Sequence, residues 1–156
     1  MKFNFSMWVS CWALIGLTVA SSESEAPPWS AKPDREITIS MVPAKMAYDT
    51  TLLRVRPGEK VKLNLKNPDD LEHNLVLIQN DPKDPQGERF AAQCNELGEQ
   101  GPKLAWTPHR QRDLARSGME GPKKELEMFF EAPKEVGDYL YLCTFPGHSN
   151  LMRGIL

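Results

Sequence analysis

Close to the end of the chain, Cys143, His148 and Met152 stand at the spacing C-x4-H-x3-M, within Tyr139-Leu-Tyr-Leu-Cys143-Thr-Phe-Pro-Gly-His148-Ser-Asn-Leu-Met152. A thiol, an imidazole and a thioether on one short loop form a soft donor set, which suits copper better than any hard cation. The alternation Tyr139, Tyr141, Cys143 predicts a strand with one buried face, and Pro146-Gly147 turns the chain so that His148 faces back toward the thiolate. Taken one at a time, each residue has an ordinary explanation: a buried free cysteine, a surface histidine, a core methionine. The three together on one loop are better explained as a metal loop.

The rest of the chain must position that loop. At 156 residues it is long enough for one domain with a sizeable core. Strand-like alternation of apolar and polar residues runs through Glu36–Val42 and again through Leu53–Val55, before the turn Arg56-Pro57-Gly58-Glu59. Past the turn, Val61, Leu63 and Leu65 alternate with Lys62, Asn64 and Lys66, predicting a hairpin with 53–55 that ends at Asn67-Pro68-Asp69-Asp70. His73-Asn-Leu-Val-Leu-Ile78 is nearly continuously apolar, as expected of a buried central strand with a histidine at its mouth.

Residues 81–124 break the pattern. Their glycines and prolines predict an insertion, about 83–123, with two short helices in place of strands. In the first, Phe90, Cys94 and Leu97 fall on one face and Gly98 stands where a left-handed cap would end it, so Cys94 is expected to face the core as a small hydrophobe. The second begins Thr107-Pro108-His109, an N-cap followed by proline at the first helical position. His109 has no partner at ligand spacing beyond Asp113 and reads as a solvated histidine. Strand character resumes at Glu125–Glu131 and continues into the metal-loop strand.

At the other end, Met7–Ala20 is an apolar run behind a lone Lys2, too short to span a bilayer comfortably and of the length of a signal-peptide core. Thr18-Val19-Ala20 before Ser21-Ser22 offers small residues for cleavage near Ala20. The expected division is a signal peptide at 1–20, a flexible segment at 21–35 and the domain at 36–156, with export to the periplasm. Cys11 fits a lipid-attachment site poorly, because Trp8-Val9-Ser10 precedes it and most of the apolar run follows it. Cleavage removes one cation, Lys2, from the 19 present and none of the 21 anions, moving the net charge from −2 to −3. With no basic tract and no second long apolar run, neither a nucleic-acid partner nor a membrane span in the mature chain is expected. Processing leaves Cys94 and Cys143, which cannot pair with each other if Cys143 binds metal.

The loop and the order strands, helical insert, strands together resemble the small blue copper proteins, the cupredoxins, and within them the azurins and auracyanins. The resemblance covers about residues 36–156. Cys143-Thr-Phe-Pro-Gly-His148-Ser-Asn-Leu-Met152-Arg-Gly carries it most strongly. Asn67-Pro-Asp-Asp-Leu-Glu-His73-Asn74 is similar to the segment holding that family's first histidine ligand, and Lys45-Met46-Ala-Tyr48-Asp-Thr to one with a surface methionine. What the resemblance implies is an all-β Greek-key β-sandwich with a short helical insertion and one type 1 copper. His73, Cys143 and His148 would lie in the trigonal plane, with Met152 as a weak axial ligand. Asn74 would tie the His73 strand to the cysteine loop, and Met46, Leu71, Pro146 and Leu151 would ring the His148 edge as an electron port. The chain departs from the azurin pattern at Glu72, where azurins have glycine, in the missing cysteine pair, and in a short last strand.

Two imidazoles, one thiolate and a thioether are the donor set that holds copper for electron transfer, and they leave no open position for a substrate. The expected function is a small soluble electron carrier between redox proteins such as a c-type cytochrome or a copper or haem oxidoreductase. A copper chaperone is the alternative, but such proteins rely on exposed, exchangeable sulfur sites. A copper enzyme would need a second, open metal site, and the three histidines His73, His109 and His148 cannot build one. Glu72, at the rim of the port, is expected to steer a positively charged partner.

Overall fold

The computed structural model describes residues 26–108 and 112–156, so the predicted signal peptide, Cys11 and His109 lie outside the described residues. Among the described residues, seven strands and one α-helix follow in the order β1 (Arg35–Ser40), β2 (Lys60–Asn67), β3 (Val76–Ile78), α1 (Glu88–Asn95), β4 (Asp113–Arg116), β5 (Lys124–Glu131), β6 (Leu140–Leu142) and β7 (Arg153–Ile155). They form two sheets, β1-β2-β5 and β4-β3-β6-β7. This is the all-β sandwich with a short helical insertion that the resemblance implied.

Alternation decides which side chain enters which layer. In β2, Val61, Leu63 and Leu65 point inward while Lys62 and Lys66 point outward and pair with Glu127 and Glu125 of β5. Opposite them, Leu75 and Leu77 leading along β3, and Tyr141 and Cys143 at β6, complete the main core with Met128 and Phe130 of β5. The intervening residues Val76, Ile78, Leu140 and Leu142 face the other side of the second sheet, where Phe90, Ala91 and Cys94 of α1 cover them. A strand covered on both faces loses its polar alternation, which is why His73–Ile78 reads as one apolar run.

Cys94 therefore sits in a core layer, as its helical spacing predicted, and burial pushes its thiol up to about 12. Asp84 anchors the insert: its carboxylate accepts the Arg89 and Phe90 N–H groups at the start of α1 and pairs with Arg112, which leads into β4.

Two sequence expectations are corrected here. The residues expected to form a second helix include β4, whose backbone pairs antiparallel with β3, Val76 opposite Arg116 and Leu77 opposite Ala115. That pairing satisfies backbone groups along one side of β3, a tertiary demand to which the local Thr107-Pro108 cap signal is blind. Nor do Leu53–Val55 form a hairpin with β2. Both sides of β2 are taken, by β1 in parallel and by β5 antiparallel, and Thr51–Leu53 instead exchanges backbone hydrogen bonds with Ile155 at 2.8 Å. The turn before β2 is nevertheless present, closed by Glu59 N–H to the Arg56 carbonyl. Among the described residues no helix is long and apolar enough to cross a membrane. Of the segment 21–35, Trp29 is described stacking edge-on against Phe129 of β5, ring centroids 5.9 Å apart.

Candidate metal centre

Cys143 follows β6 directly and inherits its inward parity, so its sulfur enters the main core. Its N–H donates to the Met152 carbonyl at 2.9 Å, pinning the two ends of the loop together. Between them Gly147 takes a left-handed conformation at φ +83°, and the His148 N–H reaches back to the Phe145 carbonyl at 3.0 Å. His148 is thereby turned inward, its Nδ1 3.7 Å from Cys143 Sγ. His73 shares the inward parity of Leu75 and Leu77, and its Nδ1 lies 4.0 Å from the same sulfur. Its backbone is held in both directions by Glu120, N–H to carbonyl at 3.1 and 2.7 Å.

The donor atoms of His73, Cys143 and His148 all lie within 4.8 Å of one another, and Met152 is fully buried in the same core cluster as Cys143. A trigonal first-row ion with a sulfur bond of about 2.3 Å and nitrogen bonds of about 2.0–2.1 Å needs sulfur–nitrogen edges of about 3.7–3.8 Å. The observed edge of 3.7 Å to His148 meets that requirement, and the edge of 4.0 Å to His73 is slightly longer. Burial pushes the Cys143 thiol up to about 11, against hydrogen bonds from the Asn74 and Phe145 backbones that favour the thiolate. A coordinated cation removes that thiol proton outright. Burial, helped by the nearby His73, also lowers the pKa of His148, keeping its ring neutral and able to donate a lone pair.

Residues 35–156 match the model of the copper-binding proteins of the plastocyanin/azurin family. The chain belongs to this family. It is 34% identical over 115 residues to auracyanin-A of Chloroflexus aurantiacus, covering 72% of this chain and 67% of that protein, and 28% identical over 120 residues to auracyanin-B, of which it spans about half (48%). Among solved structures, auracyanin A, described as a "blue" copper protein of that thermophilic photosynthetic bacterium, superposes with a TM-score of 0.70 at 30% identity, over 78% of this chain and 96% of its own. A reduced auracyanin from Roseiflexus castenholzii gives 0.66 at 25% identity, over 77% and 93%. The donor set of this cupredoxin matches one type 1 copper.

Asn74, next to His73 in the chain, is hydrogen-bonded to the cysteine loop at Thr144. Its side-chain amide donates to Thr144 Oγ1 at 2.7 Å and to the Ala105 carbonyl at 2.9 Å, while its oxygen accepts the Thr144 N–H at 2.8 Å. Tyr48, buried in the core, donates its hydroxyl to the Asn74 carbonyl at 2.6 Å. The link to Ala105 reveals what sequence reasoning left open, namely where the insert meets the site. Ala105 and Trp106 both take left-handed backbone conformations, and Trp106 lies so close over Gly101 that a Cβ there would fall 2.2 Å from the ring. From that position Trp106 packs edge-on against Phe145, which in turn stacks at 4.8 Å on His148.

Two residues near the site were missed. Asn67 is buried; its amide donates to the carbonyls of Leu71, Glu120 and Gly121, and its oxygen accepts the Asp69 N–H. Asp69, also buried, bonds the far nitrogen of His73, Nε2, at 3.1 Å. Burial would raise its carboxyl, but hydrogen bonds from Ala44, Asp70 and His73 outweigh that and hold it below the usual carboxylate range. In the sequence both looked like ordinary turn residues beside Pro68.

Of the residues expected at the surface, Met46 is exposed by 39%, Leu71 by 49% and Leu151 by 67%, with Glu72 also exposed and Pro146 half-buried. His148 itself is only 4% exposed.

Removing the Asn74 side chain strands the buried Thr144 N–H and frees the Ala105 carbonyl from the insert. Asn74→Ala is expected to destabilise the metal-free protein by about 3 kcal/mol, at roughly 1–3 kcal/mol per unsatisfied buried group. Urea unfolding measures this, and a loss below about 0.5 kcal/mol would show that the clamp is not needed.

Proposed function

We propose that the chain is a small exported electron carrier of the periplasm, passing single electrons between redox proteins at a type 1 copper held by His73, Cys143, His148 and Met152. Copper in this site supplies a one-electron couple between Cu(II) and Cu(I). The observation that carries the reading is the buried donor set: the donor atoms of His73, Cys143 and His148 lie within 4.8 Å of one another, and these three residues and Met152 are all buried, as suits a copper held for electron transfer rather than for substrate binding. Donors fixed by a sandwich and by Asn74 need to move little between two oxidation states, which favours rapid transfer through the protein matrix. A copper chaperone needs readily exchangeable metal, and buried donors are poorly suited to it.

The exposed apolar residues Met46, Leu71 and Leu151, with Pro146, support an electron port beside His148, since exposed apolar patches mark contact sites. A small, transient contact of this kind suits a c-type cytochrome or a copper or haem oxidoreductase. Glu72, exposed beside Leu71, adds a negative charge at the rim that would steer a partner positively charged around its redox centre. Export rests on the apolar run at 7–20, and the blue-copper character on the donor set and on the likeness to the Chloroflexus "blue" copper protein auracyanin A.

The copper-loaded, oxidised protein is expected to be intensely blue from thiolate-to-copper charge transfer, and Cys143→Ser to abolish the colour because a hydroxyl cannot replace the soft donor. A colourless wild-type copper complex would sink the assignment. Glu72→Gln is expected to leave the colour unchanged and to slow electron transfer to a basic cytochrome at low salt. That gap should close as the Debye length shrinks to about 8 Å near 0.15 M ionic strength. Stopped-flow rates across salt check this, and equal rates at low salt would rule out steering.

A further inference from the structure

We infer that Asp69 is a positioning residue for the copper site, fixing the His73 tautomer and setting a buried negative charge against that ligand to favour the oxidised ion. The inference rests on the copper reading above and concerns how this chain tunes it.

The geometry is specific. His73 is fully buried and Asp69 5% exposed, and the contact runs from His73 Nε2 to Asp69 Oδ2 at 3.1 Å, on the side of the ring away from Cys143. An ionised carboxylate can only accept, so Nε2 must carry the proton, which leaves the Nδ1 lone pair aimed at the donor cluster. The carboxylate is itself immobilised. Its second oxygen accepts the N–H groups of Asp70 at 2.8 Å and Ala44 at 3.2 Å, and the Asp69 N–H is held by Asn67 Oδ1 at 3.0 Å. Ligand, carboxylate and backbone donors thus form one chain of hydrogen bonds, the arrangement that orients a metal-binding imidazole and raises its basicity. A fixed negative charge in a water-poor site interacts strongly with charge nearby and stabilises the more positive copper state. Asp69 also ties the Ala44 turn, which carries Met46, to the segment bearing Leu71 and His73, so one carboxylate fixes both the ligand and two residues of the surface rim.

Asp69→Asn is the sharpest variant, because its amide oxygen can still accept from Ala44 and Asp70 while its NH2 meets the His73 N–H with no acceptor. Asp70→Asn is the control. It removes the same charge one residue away, from a carboxylate that is exposed and paired with Lys123 rather than with a ligand. Voltammetry of the copper-loaded proteins is expected to show Asp69→Asn shifting the preference from Cu(II) toward Cu(I) by about tenfold, a rise of about 59 mV for one electron, while Asp70→Asn moves it far less. An unchanged potential in Asp69→Asn, or equal shifts in both variants, would overturn the proposal. Should Asp69→Asn fail to hold copper, proton–nitrogen NMR of the diamagnetic Cu(I) wild type decides. A slowly exchanging His73 Nε2 proton supports the tautomer assignment, and an Nε2 without one refutes it. A blue wild type with an unmoved Asp69→Asn potential rejects this inference alone, whereas a colourless wild type rejects the copper reading beneath it.

Discussion

Three polar metal donors have to be held close together in the core before any metal arrives. Desolvation of a thiol and two imidazoles is unfavourable, and within the cluster only the weak sulfur contacts from Cys143 to His148 and His73, at 3.7 and 4.0 Å, offset that cost. The compensation comes from the far side of each group. Asp69 bonds the outer nitrogen of His73, backbone N–H groups of Asn74 and Phe145 reach the Cys143 sulfur, and the His148 backbone is closed into a turn on Phe145. Much of the surrounding architecture supplies these outer partners: Tyr48 secures Asn74, Asn67 secures Asp69, and Glu120 secures His73.

The sandwich provides the directions in which these groups point. Because side chains alternate across a strand, one register puts Leu75, Leu77, Tyr141 and Cys143 into the main core, and the same register sends Val76, Ile78, Leu140 and Leu142 to the opposite face. That second face would be an exposed apolar surface without α1. The insertion therefore covers the sheet with its helix, extends it with β4, and closes over the ligand loop with Ala105 and Trp106. Its contacts with Asn74 and Phe145 join a segment remote in sequence to both sides of the cysteine loop.

The ligand loop was legible because its chemistry is local: Cys143, His148 and Met152 lie within ten residues, and Pro146-Gly147 announces the turn between them. The strands β1, β2, β3, β5 and β6 were visible as alternation or as apolar runs, and the facing of α1 from Phe90 and Cys94. What stayed hidden depends on pairing across the fold. β4 is a strand because β3 needs a neighbour, and 51–53 pairs with β7 because β2 is already flanked on both sides. Asn67 and Asp69 escaped notice for the same reason. In sequence they are a turn around Pro68, and only the folded chain brings them against Leu71, Glu120 and the ring of His73.

The central claim is that the fold, rather than the metal, arranges the donors. Crystal structures of the metal-free and Cu(II)-loaded protein test it most directly. The account predicts that His73 Nδ1, Cys143 Sγ, His148 Nδ1 and Met152 Sδ superpose to within about 0.5 Å, the tolerance of a preorganised site. A His148 or Cys143 side chain turned away in the metal-free form and swinging inward on loading would contradict it.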